Sequence, residues 1–184
     1  MVITLIIMGG AVAVFHRAMG TRERESGRVD AITSAQAALS VMSREIGNAG
    51  YGLDQNNGLI IQDCAAKRLR YRANVNNADG VTDSAGEDVM YYYDAGSQSV
   101  VRYDRFGSGT TGIINRVSDV DFIYHNYLPN GTFTSGTTAA SNTGRVTINL
   151  YVLLPDVAGQ PSGRVEKVSS DITLRNSAYM LGQY

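Results

Sequence analysis

The chain has 184 residues, 43% of them hydrophobic, which is enough for one ordinary domain with a real core plus an additional element. With 16 basic against 17 acidic side chains it lacks the broad basic face that a phosphate backbone demands, so nucleic acid is not an expected partner. A single cysteine, Cys64, and two histidines cannot assemble an internal disulfide, a zinc site or a thiol relay, so stability must come from packing.

Met1 to Phe15 (MVITLIIMGGAVAVF) is uncharged and mostly aliphatic, whereas the rest of the chain is polar to mixed. Such a run falls short of the roughly 20 residues that cross a bilayer as a helix, and no basic residue precedes it as a secretory signal requires. Gly9 and Gly10 weaken a helix by about 1 kcal/mol each relative to Ala, but they also let a neighbouring helix approach closely. A buried core helix or a signal segment is the plainer reading of the run. The residues downstream favour neither: the sequence continues through His16, Arg17 and Arg22 into a helix-favouring segment that reaches about Asn48. There Val29, Ile32, Leu39, Met42 and Ile46 recur at helical spacings and predict one apolar face, with Asp30, Thr33, Ser34 and Arg44 opposite. Gly47, Gly50 and Gly52 stop the helix. The chain thus divides into a hydrophobic half-helix (1–20), an amphipathic half-helix (21–49) and a globular β-sheet domain (50–184).

Beyond the helix, the pattern turns to a period of two. Leu59 to Ile61 and Leu69 to Arg72 read as short strands, and Asn74 to Asp88 as a polar loop. DVMYYYD (Asp88 to Asp94), a turn at Ala95-Gly96-Ser97 and SVVRYDR (Ser99 to Arg105) predict a β-hairpin. A glycine and threonine stretch, Gly107 to Gly112, reads as a separator before Ile113 to Tyr127, where Val120, Phe122 and Tyr124 alternate after an interruption at Ser118 and Asp119. Thr132 to Gly144 reads as an exposed loop. Arg145 to Leu154 alternates at Val146, Ile148, Leu150 and Val152, and Val165 to Leu174 closes the chain with Val168, Ile172 and Leu174. The predicted plan is an α+β layer arrangement, one long helix packed on an antiparallel sheet.

These residues resemble a known family. AALSVMSREIGNAGY (Ala37 to Tyr51) is similar to the end of the long helix in PilW-like minor pilins and J-type pseudopilins. The hairpin segments, VSDVDFIY, RVTINLYV and VSSDITLRN (Val168 to Asn176) resemble the family's later strands in the same order, over nearly all of residues 29–176. The resemblance implies a type IV pilin-like fold. It also implies a structural or priming subunit of a type IV pilus or type II secretion filament, near the tip, rather than an enzyme. The implied partners are other minor and major pilins or pseudopilins, the inner membrane and the assembly platform. The implied location is the inner membrane before assembly, then a periplasmic or extracellular filament. The family's start, a basic leader ending in Gly followed by Phe-Thr-Leu-x-Glu, is missing, which implies that Met1 aligns inside the hydrophobic helix. Ile3, Leu5, Ile6, Ile7, Val12, Val14 and Phe15 are the candidate assembly and membrane residues; a generic anchor is their plainer reading. Arg44 and Glu45 read as a solvated helix end rather than a contact between subunits, because exposed ion pairs contribute little.

Two other classes of function compete. A membrane-anchored binding or adhesion domain is the first, and Asp79, Asp83, Glu87 and Asp88 in one polar loop offer it hard oxygen ligands for Ca²⁺ as its only candidate cofactor. Their spacing is not that of an EF-hand, and solvated loop acids are the default. Tyr91, Tyr92, Tyr93, Tyr103 and Tyr124 suggest a glycan or adhesion surface, although alternation sends about half of such residues into a core. Catalysis is the weakest reading, since His16, His125 and Cys64 are scattered and no nucleophile elbow, HExxH, P-loop or dinucleotide motif is present.

Overall fold

A computed structural model describes residues 2–54, 56–76, 80–157 and 161–182. One helix, α1 (Val2–Ile46), is followed by a 3₁₀ turn (Ile61–Asp63) and strands β1 (Arg68–Arg72), β2 (Asp88–Asp94), β3 (Ser99–Asp104), β4 (Gly109–Ile114), β5 (Val117–Tyr127), β6 (Phe133–Gly136), β7 (Thr143–Leu153) and β8 (Val165–Thr173). A single-turn helix, α2 (Ala178–Leu181), comes last. The architecture is α+β, but the strands form two antiparallel sheets where the sequence suggests one: β1-β2-β3-β4 and β6-β5-β7-β8. The sheets meet along a seam. Phe122 N–H donates to Ala66 O (2.8 Å), Tyr93 Oη to Ser118 O (2.7 Å) and Tyr124 Oη to Arg68 O (2.8 Å). Lys67 closes the seam against Asp119 and Asp121.

The second half of α1 completes the core. Ala35, Ala38, Leu39, Met42 and Ile46 are buried in one cluster with Tyr71, Val89, Tyr91 and Val100 of the first sheet and Phe122, Tyr124, Val146, Ile148 and Leu150 of the second. Three predicted face positions, Leu39, Met42 and Ile46, are therefore core. Val29 is exposed instead, although Gly27 and Arg28 beside it meet Pro155 and Glu166, because the side of the helix that meets the domain there runs through Gly27 and Ala31; Ile32 is half-buried. Alanines at 35 and 38 let the helix backbone sit close to the strands, a role that an aliphatic-only count overlooks.

The predicted hairpin forms between Asp88–Asp94 and Ser99–Asp104, in a register that sets Tyr92 opposite Val101. The alternation in β7 also holds, with Val146, Ile148, Leu150 and Val152 all buried. Other expectations need correction. Gly109–Ile114 is an edge strand and not a separator, since its two threonines and Ile114 pair with β3. Thr132 to Gly144 contains strand β6 and the buried Ala139 and Thr143, so it is only partly an exposed loop. Leu59 makes one isolated bridge, to Tyr71, before the 3₁₀ turn. The interruption at Ser118 and Asp119 is a register shift in β5 between Val117 and Asp119.

The end of the helix depends on glycine. Gly50 and Gly58 have φ of +79° and +75°, and the two backbones pass so closely that a Cβ on either would run into the other segment.

Candidate functional site

Two features of α1 are candidates: its exposed apolar start and the contacts that fix its end. From Ile3 to Met19, every residue whose side chain is described is exposed. Ile3, Ile7, Val12, Val14 and Phe15 are 51–74% accessible, and nothing approaches the positions of Gly9 and Gly10. Leu5 and Ile6 belong to the same helix, and their side chains lie outside the described residues. Among the described residues, no helix is long and apolar enough to cross a membrane. Large aliphatic side chains placed continuously in water are far from the surface of an ordinary monomer, which breaks up apolar area.

The helix first meets the domain at Gly27, where Pro155 packs against its backbone, and at Arg28, whose Nη2 pairs with Glu166 at 2.8 Å. Near its end, Glu45 reaches the first sheet. Its Oε2 accepts from Tyr71 Oη (3.0 Å), Tyr91 Oη (2.7 Å) and Arg102 Nε (2.9 Å). Burial, reinforced by the Glu45 carboxylate, pushes both tyrosine hydroxyls well above the ordinary phenol range, so they remain donors. Glu45 is thus a three-way latch between α1 and strands β1, β2 and β3, which corrects its reading as a solvated helix end. Arg44, by contrast, is exposed. Nothing local distinguishes Glu45 from Arg44; only the tertiary fold brings donors from residues 71, 91 and 102 to one of them.

No family model matches the chain, and no curated protein or solved structure matches it.

Of the four acids offered to Ca²⁺, the three that are described do not converge. Asp79 lies outside the described residues, and Asp83 is exposed. Glu87 is buried and accepts from the backbone N–H groups of Asn76 (3.0 Å) and Ser84 (2.9 Å), which spends its oxygens on shaping the loop. Asp88, one position on, faces a different group: Arg70 engages both its oxygens (2.6 and 2.8 Å), and Arg72 adds a contact at 2.9 Å. Burial pushes the Asp88 carboxyl up, but the two guanidinium groups outweigh it and hold the group below the usual carboxylate range. Among the described residues, no three His, Cys, Asp or Glu side chains gather to hold a metal.

The tyrosines divide as strand alternation requires. Tyr91 and Tyr124 are fully buried, Tyr92 and Tyr93 are half-buried, and Tyr103 is exposed, so the five do not form one surface. Cys64 is buried in the core cluster, with its thiol against Arg70 O at 3.5 Å, and burial pushes that thiol up. His125 lies on the other face of the second sheet, in a cross-strand chain with Ser135 Oγ (2.8 Å) and Thr147 Oγ1 (2.7 Å), and Thr147 bonds in turn to Asp171. His16 is on the exposed start of α1. The three residues therefore sit in three separate surroundings.

Proposed function

We propose that the chain is a minor pilin or pseudopilin, a structural or priming subunit of a type IV pilus or type II secretion filament. The observation that carries this reading is one continuous helix, Val2–Ile46, whose end is locked into a domain core while its apolar start stands uncovered. Each large apolar side chain gains about 1.5–3 kcal/mol on leaving water, so Ile3, Ile7, Val12, Val14 and Phe15 together represent on the order of 10 kcal/mol. That cost requires an apolar partner. In the waiting state the partner is the inner membrane, with Arg17, Arg22 and Arg24 at the start of the wet part of the helix. In the assembled state it is the helices of neighbouring pilins or pseudopilins. Exchange between two apolar surroundings costs little, whereas release into water costs the full amount, so assembly is a hand-over by the assembly platform. Gly9 and Gly10 provide a place for close helix approach. The domain, rigidly joined to the helix by the Glu45 latch, transmits its orientation to the filament and selects neighbours through its surface.

The test is to tag the full-length native protein, shear surface filaments from cells and assay the filament fraction, with filament formation compared in cells lacking the protein. Presence in the fraction together with loss of filaments is the expected result. Retention in the inner membrane with filaments unaffected overturns the proposal and favours an anchored binding domain.

A further inference from the structure

At the end of α1 remote from its exposed start, about 40 Å along the helix from Met19 at 1.5 Å per residue, several loops are tied together. Asn57 Nδ2 donates to the carbonyls of Ala140 (3.0 Å), Ser141 (3.3 Å) and Thr143 (3.0 Å), and Asn176 Nδ2 donates to Ala49 O (3.1 Å). Beside them, between the turn after β5, the loop before β7 and α2, lies an open cleft of about 640 Å³. Such a volume suits a small ligand.

One wall is aromatic and rigid. Tyr127 and Tyr179 stack with ring centroids 3.8 Å apart at 16°, and Phe133 supports Tyr127 at 5.4 Å. Gly144 lies directly against Tyr127, where a Cβ would come within 2.9 Å of the ring. The other wall is polar. Asn142 Nδ2 donates to Tyr127 O (2.6 Å), which fixes the amide and leaves its carbonyl as an acceptor. The hydroxyls of Ser141, Tyr127 and Tyr179 make no hydrogen bond among the described residues. None of the residues described around the cleft is charged.

This lining selects its ligand by exclusion. A charged ligand would leave water with no opposite charge to meet it. A flat apolar ligand would cover the rings but leave the Ser141 hydroxyl and the Asn142 carbonyl buried without partners. A pyranose has a C–H face for the electron-rich ring faces and a rim of hydroxyls for the amide and hydroxyl groups. We propose that this cleft binds a neutral saccharide, with the Tyr127–Tyr179 stack as platform and Ser141 and Asn142 bonded to sugar hydroxyls. The site is distinct from the tyrosine set on β2, β3 and β5 that the sequence points to, and it does not depend on the filament assignment.

The experiment uses the full-length chain in detergent micelles against an array of neutral hexose and N-acetylhexosamine oligosaccharides, with 3′-sialyllactose as the charged probe. Saturable binding of a neutral glycan at millimolar affinity or better, without binding of 3′-sialyllactose, is expected. Tyr179→Leu weakens that binding by at least about tenfold through loss of the stacking face. Ser141→Ala weakens it less, and Tyr92→Leu on the first sheet leaves it unchanged. Circular dichroism confirms that each variant is folded, and Ser141→Ala carries the test if Tyr179→Leu is not. Absence of neutral-glycan binding across the array overturns the proposal. So does equal binding of 3′-sialyllactose, or binding that is indifferent to both cleft variants.

Discussion

Replacing Glu45 by alanine removes one acceptor that serves three donors on three strands. A hydrogen bond to a charged group contributes about 1.5–3 kcal/mol, so three such bonds would sum to roughly 4.5–9 kcal/mol if each were fully buried and independent. They are neither. The Glu45 and Arg102 side chains keep 25% and 19% of their exposure, and Arg102 retains Asp104 at 3.2 Å after the change. Solvent therefore recovers part of the loss, and the expected cost of Glu45→Ala is about 2–4 kcal/mol. Glu45→Gln keeps an acceptor but loses the charge, and about 1–2 kcal/mol is expected. Arg44→Ala, its exposed neighbour, should lie within about 0.5 kcal/mol of the parent. Urea denaturation of the full chain in detergent, monitored by far-ultraviolet circular dichroism, measures all three through the midpoint at constant slope. A loss below about 1 kcal/mol for Glu45→Ala, or an equal loss for Arg44→Ala, would refute the latch.

The same contacts make further outcomes testable. Tyr71 and Tyr91 stay protonated in the fold while the unfolded chain ionises them near pH 10, so the unfolded state holds fewer protons above that pH and stability falls as pH rises past it. The slope is up to roughly 1.4 kcal/mol per pH unit for each tyrosine, and melting curves between pH 8 and 11 that fail to decline would contradict the assignment. The depressed Asp88 carboxyl works in the opposite direction: its contribution is present above its ordinary value of 3.8 and is lost as pH falls through its lower folded value. Asp88→Asn should therefore cost about 3 kcal/mol at pH 7 and much less in acid, as read from denaturation at the two pH values. Gly58→Ala, at φ +75° and against the Gly50 and Arg72 backbones, should cost more than about 3 kcal/mol and lower the thermal midpoint sharply. Ile7→Asp should leave domain stability within about 0.5 kcal/mol of the parent yet remove the tagged protein from sheared filaments, so its undiminished presence there would count against the hand-over.

Much of the fold is legible because neighbouring residues encode it. The 3.6-residue period of Leu39, Met42 and Ile46, the period of two in Val146 to Val152, and the glycine turn at 95–97 each state a local preference that the tertiary structure does not override. Gly109–Ile114 is illegible as a strand for the same reason: glycine and threonine at an exposed edge carry no alternation, and only pairing with β3 makes them a strand. Val29 shows the reverse error, because a helical period marks an apolar face but not which side of each turn meets the domain, and here that side runs through Gly27 and Ala31.

The sequence by itself determined a long helix with an uncharged apolar start, the main hairpin and the two alternating strands that close the chain, since each depends on residues a few positions apart. Tertiary structure alone decided that the strands divide into two sheets, and it drew donors from three strands to Glu45. It also turned Asp88 toward arginines 16 and 18 residues away and stacked Tyr127 on Tyr179 across 52 positions of chain. A carboxylate or an aromatic ring carries no local mark of its eventual partner. Its hydrogen bonds and ring contacts are set by distance in space, and that distance exists only after the core has closed.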